Sequence, residues 1–172
     1  AGCGVKAAEG CRTPRRYRVA AAFCSIVVAI QSGLVAAELP PLRPPAVPLV
    51  THDPYFSIWS PADKLTDADT VHWTGKPHRL TSLVRIDGKG FRVMGKEPAS
   101  VPALPQTNLE VLPTRTIYTF EGGGVQLTLT FMTPALPEDL EVLARPAIYL
   151  TWNVSSADAA PHSAIVYFDC AA

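Results

Sequence analysis

The sequence predicts an all-β chain, an antiparallel β-sandwich, and three observations carry that prediction. Apolar and polar residues alternate with period two in several separate segments. Glycine-containing turn signals stand between those segments, and only one short stretch has helical character. At 172 residues and 48% apolar content the chain has the length of one ordinary domain and enough apolar side chains for a real core. No repeat of about 20–50 residues is present, which argues against a solenoid or propeller.

Taken in order, the chain opens with a leader over residues 1–37. Lys6, Arg12, Arg15, Arg16 and Arg18 precede an apolar run, VAAAFCSIVVAIQSGLV at residues 19–35, and the small residues Ala36 and Ala37 follow. A charged segment, an apolar segment and a small-residue site together read as a secretory signal-peptide helix, cleaved after Ala37. Gln31, Ser32 and Gly33 interrupt the run and leave it short of the ~20 apolar residues of a membrane anchor, so no stable membrane insertion is expected once the leader is removed. A proline-rich linker occupies residues 38–48. Each proline there lacks a donor N–H and fixes its own φ, which excludes helix and central strand.

The sandwich domain is expected over residues 49–172, with about eight to nine strands. Asp87-Gly88 separates LTSLVRI from KGFRVM and is the expected tight hairpin pair, because glycine accepts the positive φ of primed turns. Gly122, Gly123 and Gly124 play the same part between residues 114–121 and the next strand. In that strand Val125, Leu127, Leu129 and Phe131 point one way and Gln126, Thr128 and Thr130 the other, the pattern of a half-buried strand. Residues 137–144, PEDLEVLA, form one short helix or turn, with Pro137, Glu138 and Asp139 suited to its start. Ile148, Leu150, Trp152 and Val154 define a further strand, and Ala164, Val166 and Phe168 the last. With no closing element after that strand, the sandwich is expected to be incomplete at its C-terminal end, with unpaired backbone along the strand.

Formal net charge is zero, but residues 1–37 hold five basic residues against Glu9, leaving ten basic and fourteen acidic residues beyond. A mildly acidic body lacks the clustered Lys and Arg that displace counterions, so no nucleic-acid partner is expected. Three of the four cysteines, Cys3, Cys11 and Cys24, lie in the leader. The exported part keeps Cys170 alone, with no disulfide framework and no zinc spacing. Cys170 reads as a small buried or end-of-strand residue. Asp63, Asp67 and Asp69 with Thr66 and Thr70 lack the order and the distal glutamate of a calcium loop. No metal and no cofactor are expected.

Residues 51–95 hold two tryptophans and three histidines, and the candidate site residues come from this run. His72, Trp73, Thr74 and Lys76 place an imidazole, an aromatic plate, a hydroxyl and an ammonium on one turn-forming loop around Gly75. The tryptophan can stack on a sugar or a substrate side chain, or it can plug the sandwich end or the face that meets another domain. The plug is the preferred role. His52 and Asp53 stand side by side, but sequence neighbours in an extended segment point to opposite faces. Asp53 is therefore read as the start of an Asx-type turn into Pro54, and His52 as a partly buried loop residue. No nucleophile elbow, zinc helix, P-loop or dinucleotide fingerprint occurs, and the catalytic residues stay unassigned.

Several blocks taken together identify a resemblance. HDPYFSIWS at residues 52–60, HWTGK at 72–76, LVRIDGK at 83–89, FRVMG at 91–95, LPTRTIYTFEGGGVQLTLTFMTPALPEDLE at 112–141, RPAIYLTWNVSSAD and HSAIVYFD resemble the amino-terminal region of the glutaminase A family, in family order. The resemblance implies a secreted, extracellular multidomain protein that hydrolyses L-glutamine to L-glutamate and ammonia. It implies a fragment: a non-catalytic N-terminal β-domain whose partner is a C-terminal helical domain of the same protein, with the loop around His72 rimming the site or meeting that domain. The alternative is a carbohydrate-binding or scaffold module of a glycoside-hydrolase-like multidomain protein, binding a small molecule or glycan through Trp59, Trp73 or Trp152. Trp152 is the weakest of these, since its strand pattern turns it inward.

Overall fold

Residues 43–171 are described by a computed structural model. The leader over residues 1–37 and most of the linker lie outside these residues. Ten strands follow one another: β1 (Val47–Thr51), β2 (Ser57–Ser60), β3 (Val71–His72), β4 (Leu80–Ile86), β5 (Lys89–Met94), β6 (Gln106–Leu112), β7 (Arg115–Gly122), β8 (Val125–Met132), β9 (Tyr149–Ser156) and β10 (Ala164–Cys170). One helical turn, α1 (Leu140–Leu143), stands between β8 and β9. All pairings are antiparallel, in sheets ordered β1-β2-β3, β10-β4-β5 and β6-β7-β8-β9.

The four-stranded sheet forms one layer of the sandwich, and the two smaller sheets face it. β1 packs on β7 and β8, and the Thr116 hydroxyl donates to the Pro48 carbonyl at 2.6 Å. On the other side Trp152 Nε1 donates to the Ser82 hydroxyl at 3.1 Å, and its ring meets Phe168 edge-on at 5.6 Å. The core between the layers is built from Val47, Leu49 and Val50 of β1, Ile58 of β2, and alternate residues of the longer strands: Leu80, Val84 and Ile86; Tyr118 and Phe120; Leu127, Leu129 and Phe131. Burying each of these large apolar side chains is worth about 1.5–3 kcal/mol.

The period-two reading of β8 holds: Val125, Leu127, Leu129 and Phe131 are buried, and Leu150, Trp152 and Val154 of β9 pack partly buried against them. Both glycine turns are as expected. Asp87 and Gly88 have φ of 46° and 85°, and Gly123 and Gly124 have 62° and 81°, so each pair closes a two-residue hairpin. Helix α1 is capped by Asp139, whose carboxylate accepts from Val142 N–H at 3.0 Å.

Two expectations change. The described residues contain ten strands rather than eight to nine, because β3 is only two residues long and carries no alternation to detect. Val47 and Pro48, placed in the linker from sequence, begin β1. The strand tolerates proline because β1 is an edge strand and its register slips between Pro48 and Val50. In β10, Ala164, Val166 and Phe168 pair opposite Ile86, Val84 and Ser82, on the side that β4 turns to the core, yet the whole strand stays exposed. Cys170 stands at the end of that strand, one of the two places its sequence reading allowed, and is exposed.

Candidate functional site

The two loops singled out by sequence meet in space. β2 and β3 pair through Ile58 with His72 and Trp59 with Val71, which brings the loop over residues 52–56 beside the turn over residues 72–76. Asp53 makes the first loop. Its Oδ1 accepts from the N–H groups of Tyr55 at 2.7 Å and Phe56 at 2.9 Å, an Asx-type turn into Pro54. Those donors, Phe56 first and Tyr55 second, hold its carboxyl below the usual value. His52 is largely covered, its ring edge-on to Phe56. Its Nε2 lies 3.8 Å from Asp53 Oδ2, too far for a hydrogen bond, so the pair is not a base with an orienting carboxylate.

The second loop is a tight turn. Gly75 N–H donates to the His72 carbonyl and His72 N–H to the Lys76 carbonyl, both at 2.8 Å, and Gly75 sits at φ 83° with open space around it. The Pro54 carbonyl then clasps this turn to the first loop. It accepts from His72 Nε2 at 2.9 Å and from Trp73 Nε1 at 2.7 Å. A carbonyl oxygen only accepts, so the His72 proton is on Nε2, and Nδ1 faces the Thr74 hydroxyl at 2.8 Å and Thr74 N–H at 3.3 Å. Both ring nitrogens of His72 are therefore engaged, which leaves none to abstract a proton from a ligand.

Trp73 remains 59% exposed although its indole N–H is tied down. Its ring separates two surface hollows. One, of about 390 Å³, is lined by His52, Asp53, Pro54 and Trp59; the other, of about 310 Å³, by Trp59, Val71, His72 and Gly75. Lys76, next in sequence to Gly75, is exposed. The arrangement is a fixed aromatic plate with apolar walls and the Asp53 carboxylate at its edge. Trp152 is turned inward, as its strand pattern predicts.

Two of the three acidic residues considered for calcium are paired elsewhere. Asp63 pairs with Arg43 at 2.7 Å, Asp69 with Lys96 at 3.7 Å, and the Thr70 hydroxyl bridges the His78 carbonyl and Leu80 N–H. Among the described residues no group of three or more metal-ligating side chains converges.

Sequence reasoning missed one polar cluster. His162 lies between two carboxylates, with Nδ1 2.6 Å from Asp87 Oδ2 and Nε2 2.9 Å from Asp158 Oδ1. The three residues belong to two turns distant in sequence, and the one local signal, the Asp87-Gly88 turn, accounts for itself as a hairpin.

Two family models match the chain. One, described as a domain of unknown function (DUF4964), covers residues 20–105; the other, also a domain of unknown function (DUF5127), covers residues 114–172. Among curated proteins the chain is similar to a glutaminase A of Aspergillus oryzae, 31% identical over 159 residues. That alignment takes in 87% of this chain and 23% of the relative, so the chain spans about a quarter of the length of the protein it matches. No solved structure matches. Among the described residues no helix is long and apolar enough to cross a membrane.

Proposed function

The chain belongs to the family described as a domain of unknown function, DUF4964, and is glutaminase A-like; from that premise we propose that it serves as the non-catalytic N-terminal β-domain of a secreted protein that hydrolyses L-glutamine with water to L-glutamate and ammonia. The observation that carries the reading is the 31% identity over 159 residues to a protein named glutaminase A. The role within that protein is support and docking. A helical domain of the same polypeptide supplies the reactive groups, and the loop of His72, Trp73, Thr74 and Lys76, with His52 and Asp53 beside it, meets that domain or rims its site. Two features favour a contact role over a catalytic one: the His72 nitrogens are both engaged, and the most exposed tryptophan is already fixed in orientation by Pro54.

A domain exchange tests this. The region of the Aspergillus oryzae glutaminase A that aligns with this chain is replaced by residues 43–172, and ammonia release from L-glutamine is measured for the hybrid, for the relative lacking that region, and for this chain alone. The expected result is release by the hybrid at least about tenfold above the shortened relative, a change of about 1.4 kcal/mol in barrier, and none by this chain alone. Turnover of glutamine by this chain alone would overturn the non-catalytic role. Failure of the hybrid to exceed the shortened relative would overturn the supporting one.

A further inference from the structure

The His162 cluster is not used by this reading and stands at the opposite kind of place, among hairpin turns. Three turns meet there. The β4–β5 turn contributes Asp87, the β9–β10 loop contributes Asp158 and His162, and the β7–β8 turn contributes Gly124. The backbone joins them as well: Asp87 N–H donates to the Ser163 carbonyl at 3.0 Å, Ser163 N–H to Asp87 Oδ1 at 2.8 Å, and Ala157 N–H to the Gly124 carbonyl at 2.8 Å. Asp158 Oδ1 also accepts from Ala160 N–H at 2.9 Å and the Ser156 hydroxyl at 3.2 Å. The His162 ring lies so close to Gly124 that a Cβ there would come within 2.5 Å of its Cε1. Only 14% of the side chain is accessible.

We propose that His162 is a pH-operated clasp, whose imidazolium holds the β9–β10 loop against the β4–β5 and β7–β8 turns and whose deprotonation loosens that end of the sandwich. The reason is the count of protons. An imidazolium has two N–H donors and satisfies both carboxylates; a neutral ring has one, so its other nitrogen turns a lone pair toward a carboxylate oxygen less than 3 Å away. Loss of one proton from His162 thus converts one of two short bonds into a repulsive contact. The charged groups facing the ring are Asp87 from the β4–β5 turn and Asp158 from its own loop. Arg85 precedes the β4–β5 turn with its guanidinium beside Gly88, and the β7–β8 turn brings glycines, with Glu121 ahead of them.

The direction of titration agrees. Hydrogen bonds to Asp87 first and Asp158 second raise the His162 value above its usual 6.5, while the same ring, ahead of backbone donors, lowers Asp87 and brings Asp158 to about 2. A raised histidine contributes stability that is fully present below the unfolded value of about 6.5 and is lost as pH rises through the folded value. Lowered carboxyls contribute stability present above about 3.8 and lost as pH falls through their folded values. The clasp is therefore closed below the ordinary histidine value and opens as pH rises through the raised one.

The test uses the 172-residue chain. Nitrogen chemical shifts of the His162 ring are followed from pH 5 to 9, with amide exchange at Ala160 and Ser163 corrected for its intrinsic pH dependence, in the wild type, His162→Gln and Asp158→Asn. We expect both ring nitrogens protonated at pH 6, a titration midpoint above that of a free histidine and lowered in Asp158→Asn, and protection at Ser163 and Ala160 falling about tenfold as the ring titrates. In His162→Gln that pH dependence disappears. A neutral His162 at pH 6, or protection that ignores the ring's titration, would overturn the clasp. Should His162→Gln fail to fold, the wild-type ring titration and its exchange decide the matter alone.

Discussion

Tyr118 is fully buried between the layers, stacked near Phe120 at 6.3 Å and edge-on to Phe131 at 6.3 Å, yet among the described residues its hydroxyl has no partner in hydrogen-bond geometry. Burial, only partly offset by the Ser60 hydroxyl and by Arg43, pushes the phenol well above its usual value, so the group stays neutral. Removing an unpaired buried hydroxyl while keeping the ring leaves the packing intact. Tyr118→Phe is thus expected to be neutral or to stabilise by up to about 1 kcal/mol, read from urea midpoints at unchanged m-value; a loss above about 1 kcal/mol would mean that the hydroxyl is paired in solution. At this scale the sequence was partly legible. Asp53 announced its turn because an Asx residue before proline needs only local donors, and those are Tyr55 and Phe56. The engagement of His72 was not legible, since its partner Pro54 lies eighteen residues away and is fixed only once β2 and β3 pair.

Elements in this molecule are tied by single side chains where sheets change hands. Thr70, just before β3, is fully buried; its hydroxyl donates to the His78 carbonyl at 2.7 Å and accepts from Leu80 N–H at 2.8 Å, linking the β3 turn to the start of β4. Valine has the same shape and neither bond. Thr70→Val leaves the Leu80 N–H and the His78 carbonyl unpaired, so a loss of about 1–3 kcal/mol is expected, with faster amide exchange at Leu80 as the local signature. An unchanged Leu80 amide would show that another acceptor takes the bond. Arg92 does similar work on β5, where its guanidinium reaches the carbonyls of Val101, Thr66 and Gly95. Long strands were legible because a half-buried strand writes its two faces into alternate positions, as β8 does. β1 and β3 were not: one begins inside a proline-rich stretch and the other has two residues, and both owe their pairing to β2 between them.

At the scale of the whole molecule, the sandwich formed by the described residues is open along one side. β10 pairs with β4 over all seven residues, but its other edge joins no strand among the described residues, and β9 ends the facing sheet in the same way. Val166 and Phe168, on the core side of β10, are 37% and 40% exposed, and Ile165, Tyr167 and Tyr149 add apolar surface. The architecture was legible because patterning and turns both point to paired layers, and the uncovered last strand was expected too. What sequence alone does not reveal is that the opposing edge, β9, lies open beside it. Neither edge carries the usual guards: β10 has Asp169 as its single charge and no lysine or proline, and β9 has no charge at all. Unguarded edges offer backbone donors and acceptors to any strand, so the 172-residue chain is expected to self-associate as its concentration rises, burying this side. Val166→Lys places a charge on the inward face of the free edge, where pairing would have to desolvate it, and should weaken association at least about tenfold, roughly 1.4 kcal/mol. Sedimentation velocity across a hundredfold concentration range measures both proteins. A wild-type chain that stays monomeric throughout would mean that this side does not associate, and a variant that associates equally well would place the sticky surface elsewhere.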